Sequence, residues 1–235
     1  MKRILSTFTL LFMALCSLSA QKIVRFEDEL SGLYGYKEQG KIIIEAQFVQ
    51  AAKEFSEGLA AVEIVKPNML STHNWGYINR EGEFVIKPQF YYAQNFSENV
   101  AVVNTLDGWR FINKHGEFTI IDTPAERLDD FHNGLAPYMI ARNSWARTPE
   151  LWGFINKEGS IIVEPIYTKV FSFEKGFALV KTFNRYGNYV YVNMWGEEIS
   201  KVVWHISEAN KLLKLYKKTE KGKAYMLWYK ETYGK

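Results

Sequence analysis

The sequence predicts an all-β fold of tandem three-stranded β-meanders, laid out as an open, curved, solenoid-like array, with a closed propeller-like ring as the alternative. Three observations predict it. An eight-residue pattern, Trp-Gly-Tyr-Ile-Asn-Arg-Glu-Gly at 75–82, returns along the chain, and each full copy leads into a second apolar run. A segment of the form Phe-x-x-Gly, also recurrent, opens a third apolar run. The chain is rich in aromatic residues, with 14 Tyr, 16 Phe and 7 Trp, types that favour pleated, half-buried strands.

The first twenty residues stand apart from the repeats. Lys2 and Arg3 precede an apolar run from Ile4 to Leu18, and Ser19 and Ala20 supply small residues before Gln21. This is the pattern of a secretory signal peptide, so 1–20 is expected to be removed and the protein to be exported, as a periplasmic, cell-surface or secreted chain. The run is too short for a typical membrane span. A lipid anchor on Cys16 is the alternative, disfavoured by Leu15 where a small residue is wanted. Cys16 is the only cysteine. A cut after Ala20 therefore leaves a chain without disulfides, held by packing and strand pairing alone.

The whole chain carries 29 basic and 26 acidic residues, and losing Lys2 and Arg3 leaves 27 against 26, a net charge of about +1. Such a balance offers no general attraction for nucleic acid. Charge is unevenly spread, since residues 201–235 hold nine Lys and three Glu. Blocks of lysine are usually solvated faces.

Within 21–200 five copies of the octet are visible: 34–40, one residue shorter, then 75–82, 109–116, 152–159 and, more loosely, 189–196. Each is an aromatic-rich strand; the four full-length copies end in Asn-x-x-Gly. Asn opening the turn and Gly where φ is positive suit a type I turn closing into a G1 bulge, so the octet reads as the first strand and turn of a hairpin. The second strands read 41–48, 83–90, 117–122 and 160–167, with Pro88 and Pro165 expected at an edge or strand end. Third strands follow at 55–62, 96–103, 131–138 and 173–180, the first beginning Phe-Ser-Glu-Gly-Leu-Ala-Ala-Val.

From closing glycine to the next such Phe the distance is 14 or 15 residues, whereas from that Phe to the next octet it ranges from 13 to 21. Length variation is thus confined to the loop between repeats, which in repeat arrays often lies on the binding face. The long loops are 65–74 and 140–151. Beyond Gly196 the pattern fades, and 201–235 is expected to cap the array. Residues 211–218 and 224–230 read as a closing hairpin around 219–223, with a helix over 208–218 as the competing reading.

These motifs resemble the WG-repeat family of exported bacterial proteins, over about 32–198. The resemblance implies tandem β-rich repeats, interaction roles and no shared catalytic residues. Arg110 in place of Gly, Tyr34 and Tyr189 in place of Trp, and Thr123-Pro124 in the third copy depart from the pattern.

Repetition assigns Trp75, Trp109 and Trp152, with Gly76, Gly82, Gly116, Gly153, Gly159 and Gly196, to the fold of the unit rather than to a ligand. The candidate partner-binding residues lie in the long loops: Trp145 with Arg142 and Arg147, and His73. Histidines are scattered without metal-ligand spacing, so neither metal nor cofactor is expected. Glu57, Glu98 and Asp129-Asp130 read as solvated turn acids. No nucleophile elbow or phosphate-cradling loop is present, and the chain is expected not to be an enzyme. The leading function is an exported binding or scaffold module that engages a protein or an envelope glycan through its loops; a carbohydrate-active protein and a structural spacer are the alternatives.

Overall fold

The computed structural model describes residues 22–64, 74–119, 125–140, 150–183 and 188–234. The molecule is mostly β, and its antiparallel strands fall into successive sheets that form no closed barrel. The first sheet holds β1 (Ile23–Glu27), β2 (Tyr34–Glu38) and β3 (Lys41–Phe48). The second holds β4 (Gln50–Ala51), β5 (Ala60–Ile64), β6 (Asn74–Ile78) and β7 (Phe84–Phe90). The third holds β8 (Tyr92–Ala93), β9 (Ala101–Thr105) and β10 (Gly108–Ile112). The fourth runs in order through β11 (Arg127–Leu128), β12 (Leu135–Ile140), β13 (Leu151–Asn156), β14 (Ile161–Val170), β15 (Phe177–Thr182) and β16 (Tyr189–Asn193).

Each interior sheet therefore combines the third strand of one repeat with the hairpin of the next. β5 pairs with β6 without a break from Ala60↔Ile78 to Ile64↔Asn74, and β12 with β13 from Leu135↔Asn156 to Ile140↔Leu151. In the first sheet β1 stands beside β2 in the place that a third strand takes in the later sheets.

One aromatic contact repeats through the array. The third aromatic position of the octet packs on the Phe that opens the next third strand: Tyr36 on Phe55 at 4.8 Å, Tyr77 on Phe96 at 4.9 Å, Phe111 on Phe131 and Phe154 on Phe173 at 4.8 Å. Seven of these eight rings are buried and Phe55 is half-buried, and each such pair adds about 1 kcal/mol beyond area burial. Where the ring is Tyr its hydroxyl finds a backbone acceptor, Ala52 O for Tyr36 and Gln94 O for Tyr77. This pair thus forms the core of each of the first four units.

The glycine of Trp-Gly has a specific cause. Opposite it the second strand bulges: Trp75 faces Phe90 and Tyr77 faces Ile86, two residues against four, and the same shift recurs between β2 and β3 and between β13 and β14. The bulged strand brings its carbonyl into the space of a side chain. A Cβ would lie 2.6 Å from Ile86 O at Gly76 and 2.2 Å from Val163 O at Gly153. Pro88 lies in β7, an edge strand of its sheet, as expected, whereas Pro165 lies in β14 between β13 and β15, where the bulge spares it a ladder donor. In the third copy Arg110 replaces the glycine, and among the described residues β10 meets its second strand only at Ile112↔Phe118.

The closing hairpin is not formed. Residues 206–233 are two helices, α1 (Ile206–Tyr216) and α2 (Glu220–Tyr233). Thr219 is the N-cap of α2, its hydroxyl accepting from the Gly222 N–H at 3.0 Å, so 219–223 starts a helix instead of turning a hairpin. Gly222, Tyr225 and Tyr229, spaced at helical period, are its buried residues. Tyr229 enters the core formed by Phe154, Phe173, Val190 and Val192, with Trp228 and Tyr233 packed beside it.

Candidate functional site

The third-strand segments open with two-residue hairpin turns. Glu57 and Gly58, Glu98 and Asn99, Asn133 and Gly134, Lys175 and Gly176 all take positive φ, and Ser56 exchanges both backbone hydrogen bonds with Leu59, as type I′ geometry requires. These turns lie inside the segments read as third strands, so β5 begins at Ala60 rather than at Phe55.

Stacked side by side, the turns form a ladder. Glu57 accepts from the Asn99 N–H at 3.0 Å, Glu98 from the Gly134 N–H at 2.9 Å, and Asn133 Oδ1 from the Gly176 N–H at 3.3 Å. Ser56 and Ser97 donate to the carbonyls of Phe96 and Phe131. Hairpin turns of later repeats add Lys114 to Glu57 and Lys157 to Glu98, each at 3.0 Å. At the last rungs α2 takes over: Tyr229 donates to Asn133 Oδ1 and Tyr225 to Gly176 O. Glu57 and Glu98 are thus inter-repeat connectors, not the solvated turn acids the sequence suggested. Glu98→Ala strips the Gly134 N–H of its acceptor and Lys157 of its ion pair. An expected loss of about 1–2 kcal/mol in urea unfolding follows; a loss within about 0.3 kcal/mol would show that the ladder carries no stability.

Where the ladder meets α2 a cleft of about 640 Å³ opens. Trp195, Trp228 and Tyr233 line it together with Glu98, Lys157 and Glu158. Trp195 is 47% exposed, and its ring centre lies 4.8 Å from that of Trp228, which in turn stands 6.2 Å from Tyr233. Burial alone would raise the Glu98 carboxyl, but hydrogen bonds from Lys157 and Gly134 and the Lys157 charge outweigh it and hold it below the usual range. Glu98 is therefore an acceptor here and not a proton donor.

At the opposite end of the strands lie the octet tryptophans. Trp75 and Trp109 are half-buried, with Tyr92 between them at 5.4 and 5.8 Å, and the Arg127 guanidinium stands 5.7 Å from the Trp152 ring. Gly82 and Gly116 close their turns against Ile44 and Ile86 of the preceding unit, and Gly196 against Ile162 and Val163; Gly159 closes the turn after β13. His73, Arg142, Trp145 and Arg147 lie outside the described residues. Asp130 departs from the expected solvated acid: it is largely buried, and its carboxyl is pushed up to about 7 by that burial and then by Asp129 beside it. Among the described residues no group of His, Cys, Asp or Glu is arranged to hold a metal ion.

Neither the ladder nor the tryptophan cleft follows from any single octet. Glu98 and Lys157 are visible as repeat positions, whereas Trp195, Trp228 and Tyr233 lie in the segment where the repeat fades. Their only signal in the sequence was the density of aromatic residues beyond 188.

Fold and cleft together define a β-rich tandem-repeat protein whose units are tied by their turns. The model of the WG containing repeat family matches the chain at 36–64, 75–108 and 152–186, and these segments are WG repeats. The unmatched copies are those with Arg110 and Val190 at the glycine position. No curated protein matches the chain. Among solved structures, one titled "Crystal structure of the eukaryotic initiation factor" is similar, with a TM-score of 0.53 at 11% identity, over 77% of this chain and 51% of that one. At that identity the likeness shows the fold alone, and this chain spans about half the length of that structure.

Proposed function

We propose that this is an exported, non-enzymatic binding module, and that its ligand is a glycan chain seated on the aromatic cleft between the turn ladder and α2. The observation that carries this reading is the exposed Trp195 side by side with Trp228, within a cleft rimmed by carboxylate, ammonium and amide groups. Flat aromatic faces supply the apolar contact for a sugar ring, and charged or amide groups around them supply hydrogen bonds to hydroxyls. Glu98, held as an anion, suits acceptance from a hydroxyl better than acid catalysis.

Glycan-array screening of the chain cut after Ala20, followed by calorimetry on the best ligand, tests the proposal. Trp195→Ala is expected to weaken binding at least tenfold while near-ultraviolet circular dichroism and a cooperative unfolding transition show that the chain still folds, because the ring is half exposed. Binding unaffected by that substitution, or release of reducing sugar from the ligand, would overturn it. Silence on every glycan, with capture of an envelope protein through the same face, would move the reading to a protein partner.

A further inference from the structure

The loop end of the strands contains a second recess, of about 390 Å³, between the first three repeats. Trp75, Tyr92, Gln94, Asn95, Asp129 and Asp130 line it together with four alanines. Asn95 and Asp130 occupy the same place in successive repeats, each immediately before the Phe of the third strand.

Three polar atoms here are buried without a hydrogen-bond partner: Gln94 Oε1, Asn95 Oδ1 and Asp130 Oδ1. All three are acceptors. Buried polar groups are ordinarily satisfied, so such a cluster asks for a donor. Hydroxyl ligands bring one donor each, together with lone pairs that these oxygens would repel. An ammonium group brings three donors and no lone pair. Two adjacent carboxylates favour positive charge, and the faces of Trp75 and Tyr92 add the attraction of an aromatic ring for a cation. We infer that the recess between Trp75 and Asp130 is a binding site for a primary alkylammonium group, carried either by a lysine side chain of a partner or by a free polyamine. Ionised Asp130, otherwise poorly solvated, is the group that such a ligand neutralises. The site is separate from the tryptophan cleft, so either reading stands if the other fails.

Calorimetric titration of the chain cut after Ala20 with n-butylammonium, in phosphate buffer free of amines, tests the site. Binding is expected, with n-butanol silent and with Asp130→Asn lowering affinity at least tenfold while near-ultraviolet circular dichroism stays native. Asp130→Glu should recover part of the loss. Cadaverine and a lysine-containing peptide then distinguish the sources: tighter binding of the peptide assigns a partner's lysine, and tighter binding of the diamine a free polyamine. No heat with butylammonium at about 10 mM, equal binding of butanol, or full affinity in Asp130→Asn would show that water alone satisfies these oxygens and would overturn the inference.

Discussion

Gly153→Ala is expected to destabilise the fold by about 3 kcal/mol or more, lowering Tm by about 10 °C in a chain of this size. The added Cβ would lie 2.2 Å from Val163 O and 2.8 Å from both the Glu164 carbonyl carbon and Tyr138 Cε1. Two of these three atoms are backbone, and that backbone belongs to the bulge of β14, so no rotamer change relieves the contact. Either the bulge moves or β13 and β14 part, and Tyr167 and Val163 lose their places in the core with it. Gly76→Ala should behave alike, with a Cβ 2.6 Å from Ile86 O. Gly58→Asn is the matched control. Its Cβ has nothing within 4 Å, and Asn99 already holds positive φ at the equivalent turn of the next repeat, so a loss under about 0.5 kcal/mol is expected. Equal Tm values for Gly153→Ala and the parent chain would contradict the close-approach account of the Trp-Gly motif.

Asp130→Asn is expected to stabilise the ligand-free protein, increasingly so as pH rises. Burial first, and Asp129 second, move the Asp130 carboxyl from 3.8 to about 7. A carboxyl whose folded value lies above its unfolded value favours the fold only while protonated. Its contribution is whole below about pH 4 and is lost as pH rises towards and through 7. At pH 8 the buried anion costs up to about 4 kcal/mol, the free energy equivalent of that displacement. Asp129 and the Tyr77 phenol interact with the same group, and among the described residues no cation contributes to its shift. Urea unfolding in amine-free buffer should therefore find the variant about 2–4 kcal/mol more stable than the parent at pH 8. At pH 4 the two should be nearly equal. A gap independent of pH, or a destabilised variant, would refute the assignment. Glu98 runs the other way: its lowered carboxyl supports the fold above its unfolded value and loses that support as pH falls.

The two acids show what was readable and what was not. Both read as solvated turn acids, Glu98 from its recurrence beside the third strand and Asp130 from its place before Phe131. Glu98 proved to be a connector because its neighbours, the Gly134 N–H and Lys157, arrive from positions 36 and 59 residues away. Asp130 proved to be largely buried because it lines a recess shared with residues of β4 and β8 from earlier repeats. Neither contact leaves a trace in local pattern. The closing segment failed for a related reason. Its aromatic residues suit strands, but Tyr225 and Tyr229 are spaced for one helical face, and that face had no visible partner until the last turns of the ladder supplied one.

The repeat, its strand order, its Asn-x-x-Gly turns and the glycine beside tryptophan are legible in the residues, because they depend on periodicity and on positions within one hairpin. How the units are joined, where the tryptophan cleft opens and which acid is buried came from the folded chain alone. Those features depend on groups brought together across as many as 96 residues, as Tyr229 and Asn133 are, by the stacking of whole repeats.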